Sequence, residues 1–518
     1  MSGRTPRALK RACVILGTVL VYVLIWAGLT TLIAAIGIRH FWGRISVSQM
    51  LTNLVSVQTD GGGGSLVWMG LIFVGILPIV ITLGIAVFRY YRHRRRKRLG
   101  IAPSQQRAPW IGRSVSVVMV MALTIGGTSA FATTVGVGDF IRSASSPYNM
   151  ADYYKNPQVT DNANKRNLVT IYLESGEQTL ADDQLFEKDA FKSLEDATPE
   201  SEGWQSVDSL QQYNGGGWTM AGLTSTQCGV PLKGASSAIG SAGSSSDDGS
   251  SGNYLGGLNC VGDVLGKQGY KNVFLGGANG SFAGKDKFLG GHGYTEEKDL
   301  DDWRAMGEPE KNFRSDWGLS DQRLMSHAKD EIDQLHADAE KTGQPFNLSM
   351  LTLDTHEPVH IYDYCNVDTK SDVTSVFACS MEQVAGYVNY MKEKGYLDDT
   401  AVVIMGDHLK HMSAGDAFHE ELDNNPNRSI FNRVWVPGDK KSTSLRPRID
   451  QLNMFPTLLE AAGLELKDHE AGLGVSAFEE KVPEGSAQSL PPDQYATLLD
   501  SLSSSFYNRA WTGTKPEN

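Results

Sequence analysis

Three short stretches of this sequence place carboxylates and imidazoles directly after apolar, β-branched runs. Glu174, Ser175, Gly176 and Glu177 follow the run Leu168–Leu173. Asp354, Thr355, His356 and Glu357 follow Phe346–Leu353. Gly406, Asp407 and His408 follow Ala401–Met405. Gathered in one place, such side chains bind a divalent cation. A hard ion takes the carboxylate oxygens, and an imidazole nitrogen extends the choice to manganese or zinc. Each residue also has a plainer reading, because an Asp or Glu after a strand often caps the next helix. A fourth stretch, Gly215, Gly216, Gly217 and Trp218, leads into a helix starting at Thr219. A hydroxyl there lies at the positive end of the helix dipole, where backbone N–H groups favour an anion such as phosphate. Thr219 therefore reads either as a nucleophile or as an N-cap.

These residues meet only if the elements before them line up. Asn167–Leu173 is nearly continuous in apolar and β-branched residues, as in a strand buried on both faces of a parallel sheet. Helical and strand patterns then alternate. Helices are predicted over 261–269, 321–342 and 380–395, and further strands over 272–275, 346–353 and 401–405. This alternation implies an α/β domain with a mainly parallel sheet. Active sites of open α/β sheets collect at the carboxyl ends of the strands, which are the ends carrying the residues above. Gly240–Gly252 is of low complexity and reads as a mobile surface loop.

The remaining sequence sets the surroundings. Three apolar runs, at about 12–38, 66–88 and 115–137, are each long enough to span a membrane. Arg4, Arg7, Lys10 and Arg11 precede the first run, and seven Arg and Lys residues between Arg89 and Arg98 follow the second. The excess of basic residues marks those ends as cytoplasmic, which puts everything after about residue 138 outside. The expected organisation is a transmembrane region over 1–137, a surface linker over 138–166, a catalytic domain over 167–475 and a tail over 476–518. The formal net charge of -12, despite this basic N-terminal part, makes the large domain acidic and argues against nucleic acid as its partner. Cys13 falls in the first span, and the other four cysteines in the outer domain. An even number in an oxidising compartment reads as two disulfides. Three connectivities are open, and proximity favours Cys228–Cys260 with Cys365–Cys379. A zinc site is the rival reading, but no CxxC pair supports it.

Seven fragments, in order, resemble a known group: NLVTIYLES (167–175), WTMAGLTSTQCGVPL (218–232), LGGHGY (289–294), DWGLSD (316–321), LTLDTHEP (351–358), MGDHL (405–409) and IDQLNMFPTLLEAAGL (449–464). The chain is similar there to phosphoglycerol transferases of the lipoteichoic acid synthase and osmoregulated periplasmic glucan (membrane-derived oligosaccharide) type. These lie within the alkaline phosphatase/sulfatase superfamily, and the second fragment leans toward the glucan branch. The resemblance implies a sulfatase-like α/β/α domain behind the three membrane helices. It implies one divalent metal held by Glu174, Thr219, Asp407 and His408, with manganese first and magnesium or zinc as alternatives. It further implies Thr219 as nucleophile and His356 as a partner on the phosphate side, with His292, Asp316 and Trp317 near the substrate pocket. The C-x-P-x-R setting of true sulfatases is missing, and Thr219 stands at the nucleophile's place.

The activity so implied is transfer of phosphoglycerol from phosphatidylglycerol to a cell-envelope glycan through a phosphothreonine intermediate. The enzyme would be a multi-pass membrane protein with its N-terminus in the cytoplasm and its catalytic domain in the periplasm or at the cell surface. Phosphoethanolamine transfer and phosphodiesterase- or sulfatase-type hydrolysis are alternatives within the superfamily. A non-enzymatic envelope binding protein is the alternative of another class.

Overall fold

The structure, a computed structural model, describes residues 5–43, 45–47, 50, 64–99, 109–234, 254–314, 317–411, 418–438, 445–513 and 515. The low-complexity stretch 240–252 and Asp316 lie outside these residues. The chain forms two compact units, one of Met1–Val47 with Gly64–Gly138 and one of Ser48–Gly63 with Asp139–Asn518.

The first unit is built from three long helices, α1 (Thr5–Trp42), α2 (Leu77–Arg98) and α3 (Pro109–Thr134). A π-helical turn, Leu71–Ile76, leads without a break into α2 and stands just before Pro78, which cannot donate to the preceding turn. The stretches long and apolar enough to cross a membrane are Ala12–Trp42, Val67–Arg98 and Ser114–Thr134. The third ends at Thr134, not 137. A turn with Gly136 at φ +63 separates it from a short helix, Val137–Ala144. Its Gly and Thr content has a packing reason. A Cβ on Gly127 would lie 2.3 Å from Gly28 O of α1, and the Thr124 hydroxyl donates to Leu24 O at 3.0 Å. Small residues let two membrane helices approach closely, and a hydroxyl across the contact joins them.

The second unit contains a six-stranded sheet. Its strands are β1 (Asn167–Leu173), β2 (Lys271–Gly276), β3 (Glu296–Lys298), β4 (Phe346–Leu351), β5 (Thr400–Gly406) and β6 (Asn432–Trp435). Their spatial order is β3-β2-β4-β1-β5-β6. All neighbours run parallel except β6, an edge strand antiparallel to β5. β1 is central, and every residue of it is buried. Val169, Ile171 and Leu173 enter the core on one face, and Leu168 and Tyr172 the core on the other. Burial on both faces is why the strand reads as a continuous apolar run.

The first face is covered by α7 (Asp321–Thr342) and α8 (Asp372–Lys394). α8 begins eight residues before the predicted start, because Val373, Val376 and Phe377 extend its buried stripe among polar neighbours. The second face carries α4 (Thr219–Cys228), α5 (Val261–Lys267), α6 (Lys285–Gly291) and α9 (Met454–Ala461). Two further helices, α10 (Pro492–Asp500) and α11 (Ser504–Thr512), join them. The tail is thus part of the fold. Leu498, Leu499, Phe506 and Tyr507 are buried in this core, and the Tyr507 hydroxyl donates to Pro231 O at 2.6 Å. The segment before β1 is not merely a surface linker either. Met150 is fully buried, and Val159–Asp161 pairs antiparallel with Glu465–Leu466. Disulfides join Cys228 to Cys260 and Cys365 to Cys379, and Cys13 is free.

Gly127→Leu is expected to force α1 and α3 apart at a cost of about 1–3 kcal/mol. Thermal unfolding in detergent should show a lowered midpoint. Gly84→Leu, where a Cβ meets nothing within 4 Å, should leave the midpoint unchanged.

Candidate active site

Sheet register delivers the site. Leu173 lies opposite Gly406, and Tyr172 opposite both Leu351 and Met405. The residues after β1 and β5, together with the loop beyond β4, therefore leave the sheet at one edge. Three glycines allow the close approach. A Cβ on Gly406 would lie 2.1 Å from Gly176 O, and one on Gly222 of α4 would lie 2.1 Å from Asp407 O. Between them Ser175 takes a positive φ of 55°. That turn aims its backbone N–H at Asp407 Oδ1, 2.9 Å away.

Glu174, Asp407 and His408 come together here, and their candidate ligand atoms all lie within 4.8 Å of one another. His408 Nε2 is 3.6 Å from Glu174 Oε1 and 3.6 Å from Asp407 Oδ2. The imidazole orientation is fixed because Nδ1–H donates to Leu409 O at 2.8 Å, so Nε2 is the atom facing the carboxylates. Burial alone would raise the Glu174 carboxyl. The His408 and His356 imidazoles and the Ser175 hydroxyl outweigh it and hold the group below its ordinary value. Burial, with the Glu174 charge adding to it, pushes Asp407 up to about 7. Asp407 Oδ2 is buried and has no hydrogen-bond partner among the described residues. A divalent cation fits this donor set. It would satisfy the orphaned oxygen and offset the repulsion of the two carboxylates, and two carboxylates with one imidazole are donors suited to manganese or zinc.

Thr219 is half-buried, and its hydroxyl donates to Glu174 Oε2 at 3.3 Å. It is the first residue of α4, and the cap position belongs to Trp218, in extended conformation. The N-cap reading of Thr219 fails for that reason. Its hydroxyl turns to the carboxylate, not to the helix backbone. His356 lies close enough to act electrostatically on Glu174. Its Nδ1–H donates to Glu357 O at 2.7 Å, and burial lowers its pKa. Trp317 packs on this imidazole with ring centroids 4.0 Å apart.

His292 is a correction. It is fully buried, with Nδ1 bonded to Asp263 at 2.7 Å and Nε2 to Tyr254 O at 2.9 Å. Both nitrogens serve the core beside α5, and neither is available to a substrate. Cys228, Cys260 and His292 also form a cluster of metal-ligand types, but the two sulfurs are joined to each other.

Several residues of the site were not read from the sequence. Lys410 is buried, and its ammonium donates to Thr355 O at 3.0 Å and meets Glu357 Oε1 at 3.1 Å. Arg314 donates to His356 O at 2.9 Å and also to Pro358 O. The two cations together hold the loop that carries His356. Gln451 donates to Asp407 O at 2.7 Å, and Thr355 Oγ1 donates to Glu174 O at 2.5 Å. Lys410 follows Asp407-His408-Leu409 directly, which was a usable signal. Gln451 lies in the fragment 449–464, a further signal, whereas Arg314 had none.

The sulfatase family model matches residues 224–464. Phosphoglycerol transferase I from an Escherichia coli strain is 30% identical over 376 residues, covering 70% of this chain. The same protein from Shigella boydii matches equally well. The chain spans about half the length of these relatives, 46%. A protein in the alkaline phosphatase superfamily from Vibrio parahaemolyticus superposes with a TM-score of 0.51 at 17% identity, covering 73% of this chain and 97% of that one. The lipoteichoic acid synthase LtaP from Listeria monocytogenes does so with a TM-score of 0.50 at 15% identity, covering 68% and 95%. The larger unit has the sulfatase-like fold. The chain is similar to phosphoglycerol transferase I over 376 residues.

Elemental analysis of the purified full-length protein is expected to find a divalent metal. Asp407→Ala, which removes the orphaned oxygen, should lose it. Retention of metal in that variant would contradict the assignment of these donors.

Proposed function

We propose that this protein transfers phosphoglycerol from phosphatidylglycerol to a glycan of the cell envelope through a phosphothreonine intermediate. The observation that carries the reading is the Thr219 hydroxyl, at the N-terminus of a buried helix and bonded to Glu174 beside Asp407 and His408. The similarity to phosphoglycerol transferase I supports it. Three apolar helices suit a lipid donor, and the basic residues at Arg89–Arg98 favour a cytoplasmic N-terminus with the larger unit outside.

Glu174, Asp407 and His408, joined by the Thr219 hydroxyl, would hold one divalent metal, manganese being the first candidate. When bound, it supplies positive charge for the phosphate oxygens and acidifies the hydroxyl. Thr219 Oγ1 attacks phosphorus and its proton passes to Glu174 Oε2. The bond from phosphorus to the diacylglycerol oxygen breaks, and that oxygen takes a proton from water. The dipole of α4 favours the anionic group now carried on Thr219. An acceptor hydroxyl then attacks the same phosphorus. Its proton goes to His356 Nε2 and from there to the hydroxide left when water protonated the diacylglycerol oxygen, the bond from phosphorus to Thr219 Oγ1 breaks, and Thr219 regains its proton from Glu174. Trp317 lies against the face of His356 and, with Asp316, belongs to the substrate side in this reading.

Incubation of the full-length protein with labelled phosphatidylglycerol should give a covalent adduct on Thr219. Thr219→Ala is expected to lower diacylglycerol release by a factor of about 10⁴ or more. Full activity in that variant would remove the nucleophile assignment. His356→Gln should cost about 10²- to 10⁴-fold in transfer. Product analysis separates transfer from hydrolysis: a phosphoglycerol-bearing glycan in the first case, free glycerol phosphate in the second.

A further inference from the structure

The short helix Val137–Ala144 carries an apolar stripe that the candidate active site does not use. Val137, Phe140, Ile141 and Ala144 stand at i, i+3, i+4 and i+7, the spacing that puts side chains on one face of a helix. Asp139 and Arg142 lie on the opposite face and pair with each other. The stripe is not spent on the core. Ile141 is 64% exposed, Ala144 is exposed, and Val137 and Phe140 are only half-buried.

The place of the helix in the chain decides what lies against that face. The third apolar stretch ends at Thr134, just before the helix starts at Val137. Val135 N still donates to Phe131 O at 3.0 Å, and Gly136 turns the chain at φ +63, so the connection is not extended. Even fully extended, a connection of this length reaches only about 10 Å. The polar layer on each side of a bilayer's hydrocarbon core is about 5–7 Å deep. A second marker gives the same level. Ile45 N donates to Thr134 O at 3.1 Å, which ties the end of α3 to the residues just past α1. α1 ends in Phe41 and Trp42, and Trp42 is 43% exposed. Tryptophan is enriched where a membrane helix meets the headgroups. The stripe therefore starts at the boundary between hydrocarbon and water. The charged face is neutralised by its own ion pair, so no anionic lipid is needed to hold it.

We propose that Val137–Ala144 lies in the headgroup layer of the bilayer, on the face from which the larger unit emerges, with Phe140 and Ile141 turned into the lipid. The far end of the helix is bonded to the larger unit. Leu502 N donates to Ser143 O at 3.2 Å, and the Ser146 hydroxyl donates to Thr497 O at 3.4 Å. The helix thereby holds that unit to the lipid surface by the junction of α10 and α11. The inference needs the third apolar helix to span a membrane and is independent of the chemistry proposed for Thr219.

Fluorescence quenching on the full-length protein, in vesicles of phosphatidylcholine and phosphatidylglycerol, tests it. With Cys13→Ser removing the free thiol, Ile141→Cys, Arg142→Cys and Ile125→Cys are each labelled with nitrobenzoxadiazole. The label at position 141 should be quenched by a nitroxide on the upper part of an acyl chain and shielded from aqueous iodide. The label at position 142, on the polar face, should show the reverse. Ile125, 62% exposed within the third span, is the control, and a label there should be quenched by a nitroxide deep in the acyl chain. If the label at 141 is as open to iodide as the label at 142, the proposal is overturned. It is equally overturned if the label at 141 is shielded from both quenchers, because a second copy or another segment of this chain then covers the stripe. If the label at 125 escapes the lipid quencher, the span fails and the helix assignment with it.

Discussion

Two carboxylates, Glu174 and Asp407, are buried almost completely and side by side. Removing one such charge from water costs several kcal/mol even after relaxation, and a like charge adjacent adds to that. Much of the larger unit is arranged around this pair. Ser175 N and His408 N both donate to Asp407 Oδ1, and the Ser175 hydroxyl donates to Glu174 Oε1 at 2.7 Å. The Thr352 hydroxyl accepts from Glu174 N at 2.9 Å. These contacts come from strand ends and a helix start, so the pair cannot be tolerated unless the sheet register is right. The glycines at 176, 222 and 406 follow from the same demand, because any side chain there would hold the three backbones apart.

The region around the pair is also where charge is used for position. Lys410 and Arg314 are buried cations that bond to backbone carbonyls of the Thr355–Pro358 loop. They fix the loop from within, which leaves the His356 imidazole set by its bond to Glu357 O and by the Trp317 ring. The loop that carries His356 is thereby tied to the segments that carry Arg314 and Lys410.

The sequence revealed the elements with strong periodicity and local chemistry. α7 has its predicted bounds because its buried stripe is regular and Gly343 ends it at φ +72. The central strands were visible because burial on both faces leaves no polar alternation. The Glu174, Asp407 and His408 cluster was readable because each follows such a strand. β6 was not visible, since Asn432-Arg433-Val434-Trp435 alternates buried and half-buried positions over only four residues. His292 misled because a family fragment contains it, while the tertiary fold gives both its nitrogens structural partners. The Gly and Thr residues of the third apolar helix lower its apolar character, and the contact with α1 explains Gly127 and Thr124. Arg314 acts through backbone atoms of a distant segment, a relation that leaves no local pattern.

Helices α10 and α11 make the support of the site depend on sequence far from it. The core on one face of the sheet is closed by Leu498, Leu499, Phe506 and Tyr507, and Lys233 is tied to carbonyls of Leu499 and Ser501. Helix α4, which begins with Thr219, belongs to that same core, its residues Met220, Ala221 and Leu223 among the buried set. Residues 498–510 are therefore needed to complete the bed on which α4 lies. A chain lacking residues 498–510 would keep Glu174, Thr219, Asp407 and His408 without the packing that supports α4.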